Sequence, residues 1–135
     1  MKHIVLGYDE TPAADHALER AAELAKAFEA KVTVASIAPV VHALRSGPID
    51  PVDPPARHEL QLRHAKDKLA ELGIQAQTVS GLGDPASALV TIAEEREADM
   101  IVVGTRELHG LERLLLGSVS ESVEHKAHCD VLIVH

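Results

Sequence analysis

The chain has 135 residues, room for one domain over 1–135 with a single core. An apolar share of 46% excludes disorder, and a net charge of −8 argues against phosphate backbones and anionic lipid, so no nucleic acid and no membrane partner is expected. Tyr8 and Phe28 are the only aromatic residues, so bases would find little to stack on.

In chain order, His3–Gly7 reads as a short buried strand. Thr11–Phe28 follows with apolar residues at 14, 17, 18, 21, 22, 24 and 25, a helical spacing. Thr11-Pro12 supplies an N-cap and a proline at the first helical position. Lys31–Ile37 is the second strand. Pro39–Pro55 then carries SGPIDPVDPP, four prolines in ten residues, and is expected to be an extended, mobile loop. His58–Leu72 repeats leucine at 60, 62, 69 and 72, with Ala65 between, and Gly73 ends that helix. Ile74–Ser80 is a weaker strand. Asp84-Pro85 opens a third helix, with Ala86, Leu89, Val90, Ile92 and Ala93 facing inward. Asp99–Val103 is a strand, Gly117-Ser118 opens the last helix, and Asp130–Val134 closes the chain as a strand.

Five strands and four helices thus alternate along the chain. That order, with continuous apolar strands, predicts an α/β fold: an open five-stranded parallel sheet with helices on both faces and right-handed crossovers. Such sheets bind ligands at the carboxyl ends of their strands, at a topological switch point. The segments after residues 7, 37 and 103 are therefore the places to look.

The richest stretch is IVVGTRELHGLERLLLGSVSESV, Ile101–Val123. A strand ends at Gly104, a loop with His109-Gly110 follows, and Gly117-Ser118-Val119-Ser120 starts a helix. Unobstructed backbone N–H groups, hydroxyls and a helix N-terminus suit a phosphate. The plainer reading makes Gly104 a strand-end turn and Ser118 an N-cap. Neither a P-loop nor GxGxxG is present.

This stretch resembles the universal stress protein family, whose nucleotide motif is G-x2-G-x9-G-[ST]. Gly104 matches the first glycine and Gly117-Ser118 the end. LLLGSVSE, GDPASALVTIAEEREADMIVVGT and IVLGYDETPAADHAL extend the similarity over almost the whole chain. The resemblance implies a Rossmann-like, adenine nucleotide alpha hydrolase-like fold with strand order 3-2-1-4-5. It also implies a stress-response module taking ATP (or AMP or ADP), with Mg²⁺ as a companion ion. By position, Gly7, Tyr8 and Asp9 would line the base and ribose, and Ile37 would contact adenine. Val103 and Gly104 would flank the ribose, and Gly117, Ser118, Val119 and Ser120 would hold the phosphates. A homodimer through Val131–Val134 is implied as well, and VLIV would be a sticky exposed edge.

Two positions depart from the pattern. Glu107 replaces the second motif glycine. A carboxylate about 5 Å from a phosphate charge is repelled by roughly 1–3 kcal/mol. Glu107 either turns outward, pairs with Arg106 or Arg113, or helps hold Mg²⁺. Asp130 stands where the family usually has proline, which concerns the dimer edge. Three readings follow: a nucleotide-binding module with little or no turnover, a protein-interaction module in which Glu107 abolishes ATP binding, and a slow ATPase or nucleotidyl transferase.

Other groups weigh less. Asp9 is either a site carboxylate or a helix-capping one near Thr11. His125, His128 and Cys129 lack a second ligand cluster, so a solvated helix end is the better reading and no metal is assigned. His58, His64 and His109 read as surface residues. Ser118 and Ser120 have no GxSxG elbow and no catalytic residue is assigned. Cys129 is the only cysteine, so no internal disulfide is possible. No apolar run reaches about 18 residues and no signal-peptide pattern opens the chain, so the expected compartment is cytoplasmic.

Overall fold

The structure is a computed structural model that describes residues 1–38, 55–105 and 118–135. Five strands are present: β1 (His3–Gly7), β2 (Lys31–Ala38), β3 (Ala76–Leu82), β4 (Met100–Gly104) and β5 (Asp130–Val134). Between them run α1 (Pro12–Phe28), α2 (Pro55–Glu71), α3 (Pro85–Glu95) and α4 (Ser118–Lys126). All strand pairs are parallel, in the order β3-β2-β1-β4-β5. This is the Rossmann-like fold the alternation predicts. The order reverses between β1 and β4, where Leu6 pairs with Val102.

Each strand feeds both faces, because side chains alternate along it. Ile4, Leu6, Val32, Val34 and Val102 pack under α1 and α2. Val5, Ala35, Ile101 and Val103 pack under α3 and α4. Complete burial of a residue such as Ile4 or Leu69 contributes roughly 1.5–3 kcal/mol. The inner stripe of α1 is mostly alanine: Ala14, Ala17, Ala21, Ala22 and Ala25, with Leu18. Small side chains let this helix lie close on the sheet.

The caps are those the sequence specifies. Thr11 Oγ1 accepts from the Ala14 amide at 3.1 Å, and an Asp84 carboxylate oxygen accepts from the Ser87 amide at 2.9 Å. After α2, Gly73 takes φ +85°, and the Ile74 amide bonds back to the Leu69 carbonyl at 2.8 Å. That closure needs a left-handed residue, which glycine supplies at little cost.

Three expectations need correction. The third strand runs two residues later than Ile74–Ser80, because Gly81 and Leu82 pair with Ile37 and Ala38 while Ile74 closes α2. In α2 the buried stripe is His58, Gln61, Leu62, Ala65 and Leu69, with Leu60 half exposed and Leu72 at the surface. His58 is therefore a core residue, not a surface one. Pro55, read as the end of the loop, opens α2. The rest of the expected 39–55 loop lies outside the described residues, as does the 106–117 segment with Glu107, His109 and Gly117.

Candidate functional site

The switch point places Gly7 beside Val103 at the strand ends. A Cβ on Gly7 would come within 3.1 Å of Leu89 Cδ1 and 3.2 Å of Val103 Cγ1. The glycine therefore keeps the crevice floor low where α3 approaches. Gly104 is tighter: a Cβ there would sit 2.5 Å from both the carbonyl carbon and oxygen of Ala13. Its missing side chain serves the packing of α1 against β4. Ile37, half-buried at the end of β2, leans over Gly81 towards α3.

Asp9 follows β1 and is partly exposed. One carboxylate oxygen accepts from the Thr11 hydroxyl at 2.7 Å and the Thr11 amide at 3.2 Å. Thr11 in turn caps α1, so Asp9 organises the helix start at the carboxyl end of β1. Among the described residues, no group of three histidines, cysteines or carboxylates is placed to share a metal ion. The start of α4 at Ser118 faces the same end of the sheet, since β4 leads out of that end and β5 returns from the other. For Ser118, Val119 and Ser120 only the backbone is described. Gly117 and Glu107 lie outside the described residues.

Tyr8 does not offer its ring to the crevice. Only 3% exposed, it sits in the core under α1 and α2. Its hydroxyl donates to Asp15 Oδ1 at 2.6 Å, and Lys68 Nζ reaches the same oxygen at 2.7 Å. Burial, then the bond to Asp15, pushes the Tyr8 phenol up to about 12. Burial also acts to raise Asp15, but the bonds from Lys68 and Tyr8 outweigh it and hold the carboxyl below its usual value. Asp15 in turn raises Lys68.

The signs give opposite pH windows. Asp15 is depressed, so its contribution is present above the ordinary carboxylate range and fades as pH falls through its folded value. Tyr8 is raised, so its contribution holds below about 10 and is lost as pH rises through about 12. Tyr8 is the only tyrosine and there is no tryptophan, so phenolate absorbance reports it alone. An alkaline titration of the folded protein is expected to centre near 12, and lower in Asp15→Ala. A wild-type midpoint near 10 with the fold intact would refute this buried geometry.

At the opposite end of the sheet, Cys129 is half-buried. Burial, then the nearby Asp130 and Asp99, raises its thiol. His128 is largely exposed and lies 3.4 Å from Glu94. The final strand is a sheet edge, its residues Val131 to Val134 half-buried against the two cores. No helix among the described residues is long and apolar enough to cross a membrane.

Sequence reasoning missed Glu10 and His64. Glu10 has φ +61°, and its carboxylate lies 2.7 Å from His64 Nδ1 on α2. It also missed the buried bonds from Ser36 to His58 and Gln61. The i, i+4 spacing of His64 and Lys68 was the one available signal for a shared face of α2.

A doubly wound sheet with glycines at the switch point and a helix starting above it defines a Rossmann-like protein with its crevice at the strand ends. The chain belongs to the universal stress protein family, whose profile, described as Universal stress protein family, matches residues 1–135. A universal stress protein of Methanocaldococcus jannaschii is 37% identical over 98% of this chain and 81% of its own length. A solved universal stress protein in complex with cAMP superposes with a TM-score of 0.78 at 30% identity, covering 99% of this chain and 97% of that one. A universal stress protein from Archaeoglobus fulgidus in complex with dAMP shares the fold, with a TM-score of 0.76 at 22% identity over 100% of this chain and 98% of that one.

Proposed function

We propose that the chain, as one domain over 1–135, is a homodimeric adenine-nucleotide-binding module of the stress response. It acts in the cytoplasm with little or no turnover. The observation that carries this reading is the switch point itself: β1 and β4 end side by side with Gly7 against Val103, Asp9 follows β1, and α4 starts from the same end of the sheet. The relative in complex with cAMP supports the ligand class. Purine lies by Ile37, Asp9 takes the ribose, and phosphate meets the amides of Gly117 to Ser120. One Asp9 oxygen is already engaged by Thr11. Mg²⁺ would therefore ride on the nucleotide's own oxygens, as it commonly does, with few protein ligands. The pairing of two β5 edges completes the dimer and covers the apolar strand.

Calorimetric titration with ATP, ADP, AMP and cAMP, with and without Mg²⁺, tests the reading. Gly117→Val with Ser118→Ala is expected to weaken binding at least about tenfold, a loss of roughly 1.4 kcal/mol. Glu107→Gly is expected to strengthen it. Binding by Glu107→Gly but not by the wild type would instead favour the protein-interaction reading. Sedimentation showing a monomer at micromolar concentration would remove the dimer.

A further inference from the structure

We propose that Glu10 and His64 are positioning residues: their bond holds the β1–α1 turn in the left-handed conformation that presents Asp9 to the crevice. The inference rests on the nucleotide-binding reading above. Three non-glycine residues among those described have positive φ: Glu10, Glu29 and Glu97. Glu29 is the C-cap of α1 and Glu97 follows the C-cap of α3, where left-handed residues are common. Glu10 stands before a helix, so no C-cap accounts for it. A long side chain in this region is disfavoured and persists only where its surroundings impose it.

The surroundings here are on α2. His64 Nδ1 meets Glu10 Oε1 at 2.7 Å. One turn further along α2, Lys68 holds Asp15 at 2.7 Å and the Tyr8 hydroxyl at 3.3 Å. The chain on either side of Glu10 is also pinned. The Tyr8 amide bonds to the Ala35 carbonyl at 2.9 Å, and Thr11 is tied to Asp9. Glu10 is thus the strained joint between two fixed segments, and His64 clamps it. Asp9, one residue before the joint, takes its direction from that clamp.

Glycine separates strain-holding from simple contact, because it adopts positive φ without a Cβ penalty. Wild type, His64→Ala, Glu10→Gly and the double variant are compared. AMP affinity is read by calorimetry, and the exchange rate of the Thr11 amide by NMR. His64→Ala is expected to weaken AMP binding about three- to fivefold, the range of one partly exposed hydrogen bond, and to speed Thr11 exchange. Its melting temperature should stay close to wild type, since the Lys68 contacts remain. Glu10→Gly should lie between wild type and His64→Ala in affinity, since glycine takes positive φ without penalty but has no clamp to hold it there, and the double variant should behave as Glu10→Gly. Unchanged affinity and exchange in His64→Ala overturns the proposal. So does a double variant as weak as His64→Ala. Should wild type take up no AMP, the nucleotide reading fails by itself. Thr11 exchange then still decides the clamp: faster in His64→Ala and partly restored in the double variant supports it, and equal rates overturn it.

Discussion

Gly104→Ala is expected to lose about 3 kcal/mol of stability, the upper part of the usual range for overpacking. The reason is which atoms are in the way. The new Cβ would lie 2.5 Å from the Ala13 carbonyl carbon and oxygen and 2.9 Å from the Ala14 amide nitrogen. These are backbone atoms of the first turn of α1, so no rotamer change relieves the clash. The helix must lift from β4, and its alanine stripe then loses contact with Val102 and Leu6. At roughly 3–4 °C per kcal/mol for a domain of this size, the melting temperature should fall by about 10 °C. Gly7→Ala is the comparison. Its Cβ would meet only the side-chain tips of Leu89 and Val103, at 3.1 and 3.2 Å, which can shift by a few tenths of an ångström. It should cost clearly less. Thermal unfolding of both variants decides this, and equal losses would show that the close approach of α1 is not the constraint.

This bears on how Gly104 is read as a motif residue. At a strand end, a glycine in a nucleotide motif suggests room for a ligand. The structure shows a requirement that holds with no ligand present, because the helix backbone occupies the place of the side chain. A failure of nucleotide binding in Gly104→Ala would therefore reflect a displaced α1 before any lost ligand contact. Gly117 and Ser118 are the better positions for testing phosphate.

The architecture was legible because four of the five strands are continuous apolar runs and α1 and α3 open on recognisable caps. Thr11-Pro12 and Asp84-Pro85 start α1 and α3 as read, and the five inward residues of α3 are all buried. Strand order came from family resemblance, since alternation alone does not order strands. One misreading followed residue type where phase decided. In α2 the leucines drew attention, yet the buried residues 58, 62, 65 and 69 follow the helical steps of four, three and four. That phase turns His58 inward and Leu60 outward. The shift in β3 came from pairing, because Ile37 and Ala38 of β2 dictate partners at Gly81 and Leu82. The left-handed turn at Glu10 had no signature at all, since glutamate is not a residue chosen for positive φ.

The second large effect concerns the polar cluster that this phase creates. Ser36 is 1% exposed on β2, with His58 and Gln61 above it on α2. Its hydroxyl oxygen lies 2.5 Å from His58 Nδ1 and donates to Gln61 Oε1 at 3.2 Å. One hydroxyl thus serves two buried partners. Ser36→Ala adds no atom and takes away that shared one, so both partners lose a bond in a place without ready access to water. A buried polar group stripped of its bond costs about 1–3 kcal/mol, so the pair together is expected to cost about 2–4 kcal/mol. Replacing the whole cluster, as in Ser36→Ala with His58→Leu and Gln61→Leu, removes the stranded groups along with the bonds. That triple variant should be closer to wild type than Ser36→Ala alone, because an apolar α2–β2 contact needs no polar pairing. Urea unfolding of the three proteins measures the difference. A Ser36→Ala change within about 0.5 kcal/mol of wild type would mean the hydroxyl carries no such duty. A triple variant weaker than Ser36→Ala alone would mean the cluster stabilises α2 outright, rather than merely satisfying groups that the helical phase has buried.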